Sequence, residues 1–178
     1  MITYKLGEFE ITGDKLLACD PCYIKDGSEP WFNLLIDDVL PGTYVAEVTV
    51  FDNEETDGWG DRNSELTIYH KDCYGKNHAF PLICISDEDC VGVDSGQALF
   101  IDKKHYDEYM GKSDEDKEEF YWNCCDATET DVNAGIVSDI PVSRTGYGDG
   151  CYDVFVERNE NKKVTAASIV FINEANLS

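Results

Sequence analysis

Apolar and polar residues alternate along 43–52, with Tyr44, Ala46, Val48 and Val50 on one side and Val45, Glu47, Thr49 and Phe51 on the other. A period of two over ten residues predicts a β-strand with one face buried. The same alternation returns over 64–70, which predicts a hairpin with the preceding strand, and over 151–158 and 164–173, with Asn159 to Lys162 as the turn between them. Shorter apolar runs at 2–6, 9–11, 15–19, 79–86, 90–94, 98–102 and 136–137 predict further strands. Pro21 biases Asp20 away from helical backbone and marks a turn or a strand end. The run 31–40, closed by Pro41-Gly42, reads as a short helix.

The period changes to that of a helix over 103–125, with a break near Gly111. Asp102 caps the first piece, whose Tyr106, Tyr109 and Met110 share a face. Ser113 caps the second, with Asp114, Glu115 and Asp116 in the first turn, where the helix dipole favours them. Phe120, Tyr121 and Cys124 then fall together. These elements predict an α+β fold, mostly antiparallel β, as a twisted sheet, sandwich or partial barrel. It is a single domain over 1–178 with an acidic helical insertion at 103–131.

Charge changes this picture. Thirty-seven acidic residues face fourteen basic ones, a formal charge of −23 on 178 residues. Disordered acidic chains are poor in aromatics, whereas 12% of this chain is aromatic, enough for a packed core. A field of this sign repels nucleic acid and anionic membrane and attracts a basic surface. Duplex DNA carries about one charge per 1.7 Å, so the net charge matches that of roughly a dozen base pairs. The acids cluster within 103–131, within 52–65, and at Asp87, Glu88, Asp89 and Asp94. The expected partner-binding residues are Asp107, Glu108, Asp114, Glu115, Asp116, Glu118 and Glu119 in the insertion, with Glu54, Glu55, Asp57 and Asp61 in the loop. The competing reading of such runs is a merely solvated face.

No catalytic motif is complete. Three glycines within 146–150 hold Asp149 between Gly148 and Gly150, either as a ligand site or as a tight turn. No Lys-Ser/Thr follows, as a phosphate-binding loop requires, and no helix, as a dinucleotide fingerprint requires. Placing Gly58 at the sixth position of a calcium loop puts Ser64 where a bidentate Glu belongs. One Cys-x-x-Cys pair, Cys19 and Cys22, joins only the adjacent Cys124 and Cys125, half of the usual structural zinc pattern. We therefore expect no cofactor, no metal and no enzymatic activity. A second reading is a cation- or ligand-binding β domain, hydrolytic if it is an enzyme, built around Asp20, Asp94 and Asp149. The N-terminal stretch lacks the apolar core of a signal peptide, which places the chain in the cytoplasm with reduced cysteines. No apolar run is long enough to span a membrane.

Four short blocks occur in order: Asp20-Pro21-Cys22-Tyr23, Pro41-Gly42-Thr43-Tyr44, Val91-Gly92-Val93-Asp94-Ser95-Gly96, and Gly146-Tyr147-Gly148-Asp149-Gly150 with Tyr152. Together they resemble a family of uncharacterised small β-rich proteins of bacteria and their phages. The resemblance spans most of the chain and brings no activity with it. It implies a phage or mobile-element setting and the cytoplasm of a host bacterial cell. By analogy of class, very acidic proteins in that setting inhibit host defence, anti-CRISPR proteins that imitate DNA among them. The partner so implied is a basic nucleic-acid-binding protein such as a CRISPR effector nuclease, with no direct binding of nucleic acid or membrane.

Overall fold

A computed structural model describes residues 1–51, 60–76, 83–85 and 90–173. Its elements in chain order are β1 (Ile2–Ile11), β2 (Lys15–Cys19), α1 (Pro21–Asp26), β3 (Leu34–Asp37), β4 (Gly42–Phe51), β5 (Arg62–His70), β6 (Ile83–Cys84) and β7 (Val91–Val93). They continue with β8 (Gln97–Asp102), α2 (Lys103–Met110), α3 (Asp114–Thr128), β9 (Ala134–Val137), β10 (Ile140–Arg144), β11 (Gly150–Arg158) and β12 (Val164–Val170). One sheet runs β1-β4-β5-β12-β11-β6, with β7 also paired to β11, and the other runs β3-β2-β8-β10-β9. Every ladder between these strands is antiparallel. The sheets stack face to face without closing into a barrel, and the helices cover the outer face of the second sheet.

The central strands β2 and β8 of the second sheet read as nearly unbroken apolar runs because both of their faces are buried. In β2, Leu16 and Ala18 enter the core between the sheets, while Leu17 and Cys19 enter the core beneath the helices. In β8, Ala98 and Phe100 divide from Leu99 and Ile101 in the same way. Each such Leu, Ile or Phe stabilises the fold by about 1.5–3 kcal/mol through burial. Tyr106, Phe120 and Cys124 complete the second core, with Tyr109 and Met110 packed against it, so α2 buries the face expected of it and α3 buries Phe120 and Cys124 but leaves Tyr121 half-buried.

Both predicted caps are present. The Ser113 side chain accepts from the Asp116 N–H at 3.1 Å. Asp102 does two jobs, because its Oδ1 accepts from Lys104 N at 3.0 Å and starts α2, while its Oδ2 accepts from Thr12 N, Thr12 Oγ1 and Gly13 N at 2.7, 3.0 and 3.0 Å. One carboxylate thus ties the turn between β1 and β2 to the start of a helix. Burial alone would raise its pKa, but the N–H donors together outweigh burial and hold the carboxyl below the usual value.

Three expectations need correction. The stretch 31–40 contains strand β3 and no helix, because Leu34 and Ile36 take up a strand's alternation when β3 pairs with β2. The two short runs before Gly13 form one strand, bent at a bulge between Lys5 and Gly7. Asp20-Pro21 follows the last residue of β2, with Asp20 extended as expected, and also starts a helix: Asp20 is the N-cap of α1 and Pro21 fills its first position, where a missing N–H is harmless. The cysteines are not all reduced either, since Cys90 and Cys151 form a disulfide across 61 residues with their Cα atoms 5.5 Å apart.

On the outer face of the first sheet, Glu65 accepts from the hydroxyls of Thr67 and Thr49 at 3.3 and 3.4 Å. Burial raises its pKa, and nearby Glu47 adds to the effect against those hydroxyls. An acid raised on folding contributes stability below its unfolded pKa and loses it as pH rises through the folded value. Glu65→Gln keeps an acceptor for both hydroxyls without the charge. We expect it to unfold at higher urea than wild type at pH 7, an advantage that fades by about pH 4. Equal midpoints at pH 7 would show that the buried charge costs nothing.

Candidate functional site

Asp20 is fully buried, and its two oxygens are used up within the protein. Oδ1 accepts from Cys22 N at 2.7 Å and Ser95 Oγ at 2.6 Å. Oδ2 accepts from Asp94 N at 2.8 Å and Ser95 N at 2.7 Å. The carboxylate that caps α1 therefore also fixes the turn between β7 and β8. Tyr23 donates from its hydroxyl to Asp94 Oδ2 at 2.6 Å, which joins the same two segments a second time. Beneath them, Phe32 lies so close to Gly92 that a Cβ there would sit 2.4 Å from its ring, so the position admits no side chain.

The glycine-rich block at 146–152 joins from the other side. Val93 pairs with Gly150, and this register carries Asp94 and Asp149 to the same end of the β7–β11 ladder. Thr145 N donates to Gly96 O at 2.9 Å, and the hydroxyls of Thr145 and Tyr152 both donate to Gly148 O, at 2.5 and 2.7 Å. The structure thus brings Asp20, Asp94 and Asp149 into one region, with different roles. Asp20 is an internal tie with no lone pair left for a ligand, while Asp94 and Asp149 are exposed. Among the described residues no group of three or more His, Cys, Asp or Glu side chains is placed to hold a metal ion.

These turns form one wall of a cleft of about 480 Å³. Ser95 and Gly96 come from the β7–β8 turn and Gln97 from the start of β8, while Arg144 ends β10 and Thr145 and Gly148 follow it before β11. Tyr121, Trp122, Cys125, Thr128 and Glu129 face them from α3 and its end. Gln97 donates from Nε2 to Cys125 Sγ at 3.3 Å. Burial pushes the Tyr121 hydroxyl up to about 12, and Cys125 beside it adds to the shift. Sequence reasoning singled out the glycine-rich stretch from Arg144 to Tyr152 but not Gln97 or Trp122, because the cleft forms only when α3 lies across both turns.

The four cysteines weighed as zinc ligands also gather here. Cys19 and Cys124 share the core under the helices, and Cys22 lies in the first turn of α1. Burial pushes the thiols of Cys19, Cys22 and Cys124 up, and the Asp20 carboxylate adds to it, so all three stay protonated and unreactive.

The acidic side chains of the helices all face solvent. Asp107 and Glu108 on α2 and Asp114, Glu115, Asp116, Glu118 and Glu119 on α3 are exposed, as is Asp61 before β5. Glu54, Glu55 and Asp57, with the rest of 52–59, lie outside the described residues. On α3 the spacing of Glu115, Glu118, Glu119, Trp122 and Asp126 puts them on one stripe along the helix, and each is exposed, Trp122 at 55%. The lysines of this layer are engaged elsewhere. Lys117 is buried, with its ammonium 3.3 Å from Asp114; Lys103 pairs with Asp107; and Lys104 donates to Thr12 O at 3.4 Å. Lys112 and Lys25 sit over the rings of Tyr109 and Tyr121, at 4.2 and 5.1 Å.

No helix of the described residues is long and apolar enough to cross a membrane. No curated protein and no solved structure matches the chain. A family model does match it over residues 9–169, a span that contains the α1 cap, both turns of the cleft and the helical layer, and the chain belongs to this family, described as protein of unknown function (DUF4241).

Proposed function

We propose that the chain is a non-catalytic acidic binding protein that docks its helical layer on the basic surface of a nucleic-acid-binding protein and so excludes the nucleic acid. The α3 stripe carries this reading. Its carboxylates surround one exposed indole, while the lysines nearby turn inward, pair with a neighbouring acid or lie on aromatic rings. Interfaces take most of their energy from a few aromatic anchors, and complementary charge around an anchor speeds encounter and selects the partner. A solvated face needs neither the indole nor the sorting of cations. By analogy of class with other very acidic proteins, the setting of this proposal is a phage or mobile element and its partner a nuclease of host defence.

The test is competition. A partner retained on immobilised protein at low salt should be displaced by a short DNA duplex and by raised salt, since the duplex and the stripe would hold the same groove. Retention that salt weakens but duplex leaves intact would overturn the imitation of nucleic acid.

A further inference from the structure

We infer that the cleft between α3 and the two turns binds an α-amino acid zwitterion with a large apolar side chain. Its volume, about 480 Å³, falls within the range of small-molecule sites. It is lined by two charged side chains of opposite sign, Arg144 and Glu129, 4.0 Å apart. That distance is too long for a hydrogen bond, so among the described residues the Arg144 fork donates to no acceptor. An exposed pair of this kind is weak and opens readily.

The neutral polar groups are already engaged. Gln97 donates to Cys125 Sγ, Thr128 to Cys125 O at 3.0 Å, and Thr145 to Gly148 O. The charges are therefore what remains to recognise a ligand. Gly96 and Gly148 have φ of 69° and 86°, and together they leave bare backbone on that wall. A Cβ at Gly148 would meet nothing within 4 Å, and one at Gly96 only the Gly148 Cα at 3.7 Å. On the opposite wall Trp122 and Tyr121 stand edge to face at 5.5 Å and offer an apolar surface.

Net charge selects among ligands. The field of a −23 chain opposes a net anion, and Arg144 within the cleft opposes a net cation. A neutral molecule carrying both charges on one carbon meets neither penalty. Its carboxylate takes the Arg144 fork in two parallel hydrogen bonds, its ammonium takes Glu129, and its side chain lies against Trp122. No bond is made or broken.

Calorimetric titration of the full chain with L-phenylalanine, N-acetyl-L-phenylalanine and L-phenylalaninamide tests this, with alkylation of Cys125 mapped by mass spectrometry to locate the ligand. The free amino acid should bind and slow alkylation of Cys125, and each blocked derivative should bind at least about tenfold more weakly. Arg144→Ala and Glu129→Gln should each lose about tenfold or more without a change in melting temperature. The triple change E118K/E119K/D126K should leave binding intact, which separates the cleft from the stripe. The inference falls if phenylalanine, leucine and tryptophan give neither heat nor protection up to about 10 mM. It falls equally if the acetylated derivative binds as well as the free amino acid, or if Arg144→Ala binds unchanged.

Discussion

Asp20→Ala is expected to lower the stability of the protein by about 3–5 kcal/mol, a large share of the 5–15 kcal/mol typical of a domain. Three backbone N–H groups, those of Cys22, Asp94 and Ser95, and the Ser95 hydroxyl all converge on this one buried carboxylate. Alanine leaves all four donors without their acceptor, and an unmade buried hydrogen bond costs the desolvation of the group left behind, about 1–3 kcal/mol each before the structure relaxes or admits water. Asparagine should rescue little, because its amide turns two donors toward groups that also donate. Urea denaturation of both variants gives the measurement. A loss below about 1 kcal/mol in the alanine variant would mean that these turns are held by something other than Asp20.

The second large effect is on binding. Charge reversal of Glu118, Glu119 and Asp126 to lysine takes the net charge from −23 to −17 and converts the stripe beside Trp122 from acidic to basic. Partner affinity should fall by at least about 100-fold at low salt, while the melting temperature stays close to that of wild type. Asp114, Glu115 and Asp116 are left unchanged on purpose. They occupy the first turn of α3, where reversal would oppose the helix dipole and mix a folding defect with a binding one. Trp122→Ala alone should cost about 2 kcal/mol of binding, roughly 30-fold, if the indole is the anchor. Wild-type binding should fall steeply with salt, and the residual binding of the triple variant should not. A triple variant that binds like wild type would place the interface elsewhere.

Much of the fold was legible because its signals are local. The alternation in β4, β5, β11 and β12 reflects one buried face for each strand, and Asp102 and Ser113 announce their helices through the N–H groups that follow them. What escaped were features that depend on distant partners. The stretch 31–40 has the spacing of a short helix and becomes strand only against β2. Strand β10 was missed because it is short, begins beside a proline and is buried by neighbours on both faces. Asp20-Pro21 marks the end of β2 as expected and is also a helix-start signal, since proline suits both. At the candidate site, the glycines around Asp149 stood out in the chain, while Arg144, Gln97 and Trp122 acquire a shared meaning only once α3 crosses the two turns.

Among the described residues three acids, Asp20, Asp102 and Glu157, are buried, and the first two each cap a helix with the same carboxylate that closes a turn elsewhere in the chain. Fraying either helix therefore strips a buried charge of part of its shell, and releasing either turn uncaps a helix. The first two helices and the sheet turns are accordingly tied to one another at these two carboxylates, so that neither side opens without cost to the other.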